Sequence, residues 1–327
     1  MDERRTRRIL IVGCGAIGGV IAARLSARAE VVAFDTNAAH VAAIRADGLR
    51  VTGQSTLTAR IEVADDPASL AGAPFDAVLF LVKSASTGPA ARALAPHLSG
   101  RPWLVTLQNG MGNAEALLGL PGGFPVARGV AMQAGRYVAP GHVEHLINGK
   151  TWLGPVSGGK ADADDLHWLG ALFEAAGLPA EVLDDPMGAV WSKFVFNAVM
   201  NPIGALLLGV NAARYEVPEV RDLIDEMAAE CEAVVGALGG TLAFDPMDFV
   251  HKIRRGEAPL SSHAGSMALD VARGGPLEVD ELTGFVVREA ARLGIPVPAC
   301  RTVYRLAKGL EYAAARRHAP NGGGNGA

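Results

Sequence analysis

The stretch that decides the fold runs Arg8-Ile9-Leu10-Ile11-Val12-Gly13-Cys14-Gly15-Ala16-Ile17-Gly18. The apolar run before the first glycine predicts a short buried strand, and the small residues that follow predict a helix. A glycine loop of this spacing between a strand and a helix is typical of dinucleotide binding. There Gly13 allows a tight turn, Gly15 lets the backbone approach a pyrophosphate, and Gly18 allows close helix–strand packing. We expect the whole loop to contact the cofactor, that is Gly13, Cys14, Gly15, Ala16, Ile17 and Gly18.

Asp35 directly follows the second predicted strand, Glu30–Phe34. A carboxylate at this position hydrogen-bonds the adenosine ribose hydroxyls and repels a 2′-phosphate. The next basic residue is Arg45, well inside the following predicted helix. The loop and Asp35 together predict NAD(P)H as cofactor, with NAD(H) favoured over NADP(H). The alternative interpretation is that Asp35 only caps the helix that begins near Asn37.

Strands and helices alternate along the first half of the chain. Buried strands are predicted at Phe75–Val82 and Trp103–Leu107, and the alternation favours an α/β fold with a doubly wound parallel sheet. Val51–Val63 has the alternation of a β-hairpin, and residues 126–157 contain three strand-like segments without intervening helices. From Pro186 to about Arg317 the pattern is helical. The predicted organisation is therefore a dinucleotide-binding Rossmann domain over residues 1–184, a helical substrate and dimerisation domain over 185–318, and a flexible tail over 319–327.

The composition argues against several classes of function. The 30 Lys and Arg residues are interspersed with 34 Asp and Glu residues, so we expect no nucleic-acid partner. The apolar stretch Ala189–Val210 contains Lys193, and a lysine at the centre of a membrane span costs about 2.5–3.5 kcal/mol, so we expect no membrane association. The three cysteines form no CxxC pair, which favours the reducing cytoplasm and gives no indication of a metal site.

The second half of the chain carries one polar stripe in an apolar segment. Lys193, Asn197 and Asn201 are spaced four residues apart, so on a helix they lie on one face. Burying such groups without partners costs several kcal/mol in total, so the stripe predicts either a structural polar network or, as we favour, a ligand site. A desolvated lysine is also a common general acid near neutral pH. Pro202 is expected to break or kink this helix just past Asn201.

Other polar residues lie at predicted element ends. Lys83 and Asn109 follow strands at the carboxyl edge of the sheet, where ligands of such folds bind. Taken alone, Lys83 is better explained as a solvated lysine at a strand end, and the alternative for Asn109 is a turn residue. Ser266 and Asp270 share a helix face. Glu278 is expected to begin a new helix, which it could simply cap.

These residues in this order resemble the ketopantoate reductase family (2-dehydropantoate 2-reductase) from about Arg8 to Leu310. The resemblance rests on five features of the sequence. These are the glycine loop, Lys83, Gln108-Asn109-Gly110-Met111-Gly112, the segment from Trp191 to Pro202 with Lys193, Asn197 and Asn201, and Ser266-Met267 followed by Asp270 and Glu278-Val279-Asp280. It implies a 6-phosphogluconate-dehydrogenase-like arrangement of a Rossmann domain and a helical domain. It also implies reduction of ketopantoate to pantoate, a step of pantothenate and coenzyme A biosynthesis.

The resemblance also implies a role for each matching residue. Lys193 would be the catalytic lysine that protonates the ketone oxygen, and Glu278 the carboxylate that tunes it. Asn109 would contact both cofactor and substrate, and Lys83 would lie near the nicotinamide. The positions implied for substrate binding are Asn197, Asn201, Ser266 and Asn211, with Ser266 as the partner of the substrate carboxylate.

The sequence departs from the family pattern at some positions. Asp35-Thr36-Asn37 stands where a basic residue usually holds the 2′-phosphate, and His263, Gly265, Gly275 and Leu277 replace common residues around the substrate serine and Glu278. A related dehydrogenase of another branched 2-keto or 3-hydroxy acid therefore stays open as an alternative, with His263 as its main argument. A non-catalytic dinucleotide-binding regulator is a second alternative, which the presence of Lys193 and Glu278 disfavours. A homodimer is expected from the apolar helical domain.

Overall fold

The computed structural model describes residues 6–72, 74–260 and 264–318. Its chain divides into two compact units, the first formed by Met1–Gln108 with Gly112–Pro186 and the second by Asn109–Met111 with Met187–Ala327. His263 and the tail over 319–327 lie outside the described residues. The short segment Asn109–Met111 therefore belongs with the helical unit, although it follows a strand of the first unit.

The first unit is an α/β structure built on one mixed sheet. Its strands in the described residues are β1 Arg8–Val12, β2 Glu30–Phe34, β3 Leu49–Gly53, β4 Leu57–Ala59, β5 Glu62–Ala64, β6 Ala77–Phe80, β7 Trp103–Thr106, β8 Val126–Ala139, β9 His142–Pro155 and β10 Ala180–Val182. Their order is β4-β3-β9-β8-β7-β6-β1-β2-β5, and β10 pairs with β9. The run from β8 through β5 is parallel, which confirms the predicted α/β class.

Helices cover this sheet and close its two apolar cores. They are α1 Ala16–Leu25, α2 Ala38–Asp47, α3 Ser84–Leu94, α4 Asn113–Leu118 and α5 Lys160–Ala175. The central strands bury nearly every side chain on both faces, as strands between two helical layers must. Parallel strands present their carboxyl ends at one edge, so the loops after β1, β2, β6 and β7 lie along that edge.

Two predictions about strands need correction. The three segments predicted between 126 and 157 are one long antiparallel hairpin, β8 with β9, interrupted by register shifts such as that between Ala131 and Gln133. The hairpin predicted over Val51–Val63 is β3 with β4 only, because β5 leaves it and pairs in parallel with β2. The partner of β5 lies about 30 residues earlier in the chain, and local alternation does not report such a pairing.

The second unit is helical, as predicted. Its helices in the described residues are α6 Met187–Leu206, α7 Ala213–Glu216, α8 Pro218–Ala237, α9 Asp248–Arg254, α10 Ser266–Ala272, α11 Thr283–Leu293 and α12 Pro298–His318. α6 lies at its centre and packs against α8, α10, α11 and α12. Trp191, Phe194 and Phe285 form an aromatic cluster within this core, with ring centroids 5.4–6.2 Å apart.

Of the two outcomes expected at Pro202, a break or a kink, the break does not occur, since α6 continues to Leu206. Pro202 has no N–H, so the carbonyl of Ala198 loses its partner within the helix. The hydroxyl of Thr283 donates to that carbonyl at 2.6 Å, and Thr283 is fully buried. A side chain 85 residues away along the chain therefore replaces the missing donor and keeps the helix intact.

The membrane prediction can be compared with the helices directly. Among the described residues, none of the helices combines the length and the apolar character that crossing a bilayer requires.

Candidate active site

The glycine loop joins β1 to α1 in the predicted manner. Gly13 has a φ of +92°, and a Cβ there would come within 2.8 Å of the backbone nitrogen of Val82. A Cβ on Gly18 would overlap the carbonyl oxygen of Gly13. At Gly15, the residue before α1, no other atom lies within 4 Å of the Cβ position. The first and third glycines are thus required by packing, whereas the second leaves an open approach to the amino end of the helix.

Asp35 supports the glycine loop from the neighbouring strand end. Its Oδ2 accepts from the backbone N–H of Cys14 at 2.8 Å, and its Oδ1 accepts from the N–H of Asn37 at 2.9 Å. Asn37, not Asp35, caps α2, because its side chain accepts from the N–H of His40. The helix-capping interpretation of Asp35 is therefore wrong. A carboxylate has about four acceptor sites, so two remain for the hydroxyls of a ribose.

Two buried residues, Cys14 of the same loop and His40 of α2, are joined by a hydrogen bond. The N–H of Gly141 donates to His40 Nδ1 at 2.9 Å, so the hydrogen of the ring lies on Nε2, which donates to the carbonyl of Cys14 at 2.8 Å. Burial, and next the charge of Asp35, raise the pKa of the Cys14 thiol far above its usual range. Cys14 is thus a small buried residue and not a nucleophile, as expected from its place in the loop.

A second polar network links the ends of β6 and β7. The amide of Gln108 donates to the carbonyl of Val82 at 2.6 Å and to the hydroxyl of Thr87 at 2.7 Å. Thr87 in turn donates to Asn113 Oδ1 at 2.8 Å. Lys83 directly precedes α3 and so follows the anchored Val82. Sequence reasoning missed this network, whose members are far apart along the chain and unremarkable singly.

Asn109 and Asn197 are brought together in the helical unit. Asn197 Nδ2 donates to Asn109 Oδ1 at 2.9 Å, and Asn197 is only 4% exposed. The next loop residues lie against Glu281, since the N–H of Met111 donates to its carbonyl at 3.3 Å and a Cβ on Gly110 would lie 2.8 Å from its Cβ. The segment Asn109–Met111 is therefore held by Asn197 on α6 and by Glu281, which lies in the same turn as Glu278.

Lys193 is half-buried on the same face of α6. Its ammonium lies 5.1 Å from the centre of the Phe196 ring. Burial lowers the pKa of Lys193 to about 8, which is close to the range in which a lysine both donates and accepts protons at physiological pH. Within the described residues no ion pair joins Lys193 to Glu278 or to any other carboxylate.

The remaining predicted residues surround α6. Asn201 lies one turn beyond Asn197, and Ser266 begins α10, which packs on α6. Asn211 lies in the turn before α7, where its carbonyl accepts from the N–H of Arg214. Glu278 lies in a turn, and the helix expected to begin there starts five residues later, at Thr283. The expectation of a helix starting at Glu278 is therefore wrong. Within this turn Asp280 accepts hydrogen bonds from the side chains of Tyr304 and Lys308, which hold the turn against α12.

Two residues of this region carried no signal in the sequence. Arg214 is 6% exposed and Thr283 is fully buried. Neither belongs to the stripe on α6. Arg214 packs against Gly204 of that helix and Thr283 donates to the Ala198 carbonyl, and both contacts form only when the unit folds.

Comparison with known proteins agrees with this arrangement. The family described as ketopantoate reductase PanE/ApbA matches residues 9–158, and its C-terminal part matches residues 185–311. A 2-dehydropantoate 2-reductase of Halobacterium salinarum is 32% identical, over 92% of this chain and 98% of its own length. One of Pyrococcus horikoshii is 29% identical, over 93% and 97%.

Solved structures give the same result. A PanE/ApbA family ketopantoate reductase from Ralstonia eutropha JMP134 is 34% identical and has a TM-score of 0.81, covering 94% of this chain and 99% of its own. A D-mandelate dehydrogenase solved with NADH and anilino(oxo)acetate is 20% identical with a TM-score of 0.83, over 94% and 99%, and so shares the fold. With both family segments matched in order and relatives aligned over nearly their full length, the chain belongs to the ketopantoate reductase family of oxidoreductases.

Proposed function

We propose that the protein reduces the 2-keto group of ketopantoate with NAD(P)H to give pantoate, as the relatives named 2-dehydropantoate 2-reductase do. The observation that carries this proposal is the polar face of α6. There a desolvated Lys193 is followed one turn later by Asn197, which is bonded to the loop residue Asn109. A structural network alone would not leave a lysine in this setting without an ion pair.

The glycine loop fits a dinucleotide. Gly15 offers an open approach to the amino end of α1, where unpaired backbone N–H groups favour a diphosphate. When bound there, NAD(P)H supplies the hydride that the reduction requires. Asp35 supports our further proposal that NAD(H) is preferred. The next Lys or Arg after Asp35 along the chain, Arg45, is already paired with Asp65 at 2.8 Å.

The residues of the helical unit supply the proton and the orientation. Reduction of a ketone places negative charge on its oxygen, and the Lys193 ammonium both stabilises this charge and delivers a proton to it. Asn197, Asn201 and Asn109 offer amide donors and acceptors along the same face. We propose Ser266 as a donor to the substrate carboxylate, Asn211 as a further contact, and Glu278 as the group that later returns a proton to the lysine. Lys83 is proposed to lie at the nicotinamide end of the cofactor.

The central test is steady-state reduction of ketopantoate by the wild type and Lys193→Met. Loss of the proton donor should lower kcat by at least about 100-fold. Lys252→Met is the matched control, since Lys252 is an exposed helical lysine paired only with Asp248. Turnover by Lys193→Met at the wild-type rate would overturn the mechanism, and absence of ketopantoate reduction by the wild type would overturn the substrate.

The cofactor preference is tested separately. We expect NADH to give a higher kcat/KM than NADPH, and Asp35→Asn to narrow that ratio because the charge that repels the 2′-phosphate is removed. A wild type that prefers NADPH would contradict the role given to Asp35.

A related reductase of another 2-keto acid is the second candidate. The observation that favours it is the altered surrounding of Ser266, where Gly265 has a φ of +93° and a Cβ there would lie 3.4 Å from Arg214 Nη2. A panel of branched and linear 2-keto acids separates it from ketopantoate reduction.

The domain limits, assembly and location are also proposals. We propose the boundaries 1–184, 185–318 and 319–327 for the two domains and the tail, and a homodimer formed through the helical domain. Exposed apolar side chains on that domain, such as Leu208, Val210 and Leu306, support the dimer, which light scattering tests. The three scattered cysteines, which form no CxxC pair, support the proposal of a reducing cytoplasmic environment.

A further inference from the structure

Lys308 of α12 joins two carboxylates that lie on different elements of the helical unit. Its ammonium donates to Asp280 Oδ2 at 2.9 Å and to Glu311 Oε2 at 2.5 Å. Asp280 lies in the turn between α10 and α11, whereas Glu311 lies on α12 itself. Tyr304, one turn before Lys308, donates to Asp280 Oδ1 at 2.7 Å. Both oxygens of Asp280 are therefore bonded to α12.

Glu311 bonds the same turn at a point ahead of Asp280. Its Oε1 accepts from the backbone N–H of Leu277 at 2.8 Å, while its Oε2 accepts from Lys308. Glu278 lies between these two attachments, directly after Leu277 and two residues before Asp280. The hydrogen bonds from α12 thus hold the chain on either side of Glu278.

The apolar residues of this turn fix its place in the core but not its orientation. Leu277, Val279 and Leu282 are buried among the apolar residues of the helical unit. Burial of apolar area is non-directional, whereas hydrogen bonds weaken steeply when their angle changes. A small rotation of the turn would keep these three side chains buried and yet move Glu278. The hydrogen bonds from α12 oppose that rotation.

The Lys308 ammonium also compensates two negative charges that lie close together. Oxygens of Asp280 and Glu311 are both within hydrogen-bond distance of its Nζ, so the two carboxylates are near neighbours. The hydrogen bond to Glu311, and next that to Asp280, raise the pKa of Lys308, so the ammonium stays charged at neutral pH. The charge of Arg288 on α11 acts on Asp280 as well. Without Lys308 the two carboxylates would repel each other and push the turn away from α12.

We propose that Lys308 is a positioning residue for the reduction, which acts through Glu278 by joining Asp280 to Glu311. The inference rests on the proposed function in that Glu278 is the group that returns a proton to Lys193. Lys308 fixes the orientation of the turn, and the turn fixes where the carboxylate of Glu278 lies. Lys308 itself transfers no proton in this scheme.

The first test is steady-state reduction of ketopantoate by Lys308→Met. A catalytic group misplaced by about 1 Å can cost about 100-fold in rate, and the buried apolar residues still hold part of the turn, so we expect kcat to fall roughly 10-fold. KM should not rise, because the proposed role of Glu278 is proton return and not substrate binding. Lys308→Arg should recover most of the loss, since a guanidinium also donates to two carboxylates.

Arg305→Met is the matched control, because it removes another cation of α12 from an exposed position. It should leave kcat unchanged. A wild-type kcat for Lys308→Met, or an equal loss in Arg305→Met, would overturn the proposal.

Two double variants test how Lys308 acts. Glu311→Gln keeps an oxygen for the N–H of Leu277 but removes the charge that repels Asp280, and its amide can donate to that carboxylate. Added to Lys308→Met, it should therefore recover part of the lost kcat, and no recovery would contradict the charge argument. In a Glu278→Gln background, Lys308→Met should lower kcat by less than about twofold, since changes that act through one group do not add. An equal loss in both backgrounds would show that Lys308 does not act through Glu278.

Amide hydrogen exchange separates this inference from the proposed function. In Lys308→Met the amide of Leu277 should exchange at least about 10-fold faster than in the wild type, because the turn opens locally more often; in Arg305→Met it should not. If Glu278→Gln kept the wild-type kcat while this difference held, the role given to Glu278 in the proposed function would be wrong and the hold of Lys308 on the turn right. Unchanged exchange at Leu277 in Lys308→Met would overturn the inference, whatever the kcat of Glu278→Gln.

Discussion

The hydroxyl of Thr283 should contribute strongly to the free energy of unfolding, because it replaces the N–H that Pro202 lacks. Thr283→Val keeps the shape of the side chain but leaves the buried carbonyl of Ala198 without its 2.6 Å donor. An unsatisfied buried backbone group costs about 1–3 kcal/mol. We expect Thr283→Val to lower the free energy of unfolding by that amount.

The proline supplies a second arm of this experiment. Pro202→Ala restores an N–H that bonds the Ala198 carbonyl inside the helix. In that background Thr283→Val should cost less than about 1 kcal/mol, since the carbonyl keeps one donor. The coupling between the two changes is therefore the quantity that isolates the hydrogen bond.

Urea unfolding followed by far-UV circular dichroism measures these differences. Thr302→Val is the matched control, because the Thr302 hydroxyl donates to the Pro298 carbonyl on an exposed face of α12, and its loss should change the unfolding free energy by no more than about 0.5 kcal/mol. Equal costs of Thr283→Val with Pro202 and with Ala at that position would refute the reasoning.

Four further predictions concern Lys193, the proposed catalytic lysine, and the glycine loop. Because burial lowers the pKa of Lys193 to about 8, the protonated donor is lost above that pH and kcat for reduction should fall roughly tenfold per pH unit; a flat profile up to pH 10 would contradict it. The same shift means that the unfolded chain binds more protons between about pH 8 and the usual lysine pKa, so stability should rise with pH across that window, and Lys193→Met should remove the rise in urea titrations. Gly15→Ala should keep the wild-type Tm but weaken NADH binding in calorimetry, whereas Gly18→Ala should lower Tm, since its Cβ overlaps backbone; the reverse pattern would contradict the assigned roles. His40→Phe should lower Tm, because the carbonyl of Cys14 loses a buried donor, and an unchanged Tm would show that water replaces the imidazole.

Local patterns in the sequence were sufficient to predict the first two strands and the glycine loop between β1 and α1. β1 and β2 have the predicted bounds, because a short apolar run that ends at a glycine or an aspartate leaves few alternatives. The family and the fold class also follow from motifs that occupy fixed positions along the chain. The spacing of Lys193, Asn197 and Asn201 is sufficient to place them on one face of a helix.

Contacts between distant segments were decided only by the tertiary structure. The sequence did not reveal that Asn197 bonds Asn109 across 88 positions, or that Asp35 supports the N–H of Cys14. The missing N–H of Pro202 predicted a break or kink, and α6 is unbroken with a threonine 85 residues away donating to the orphaned carbonyl. Arg214 is an ordinary residue in the sequence, whereas in the fold it is buried and donates to the carbonyl of Ala264. Periodicity and motifs record what each segment prefers by itself, whereas the partner of a buried polar group is set by packing, which brings together residues that carry no signal of one another.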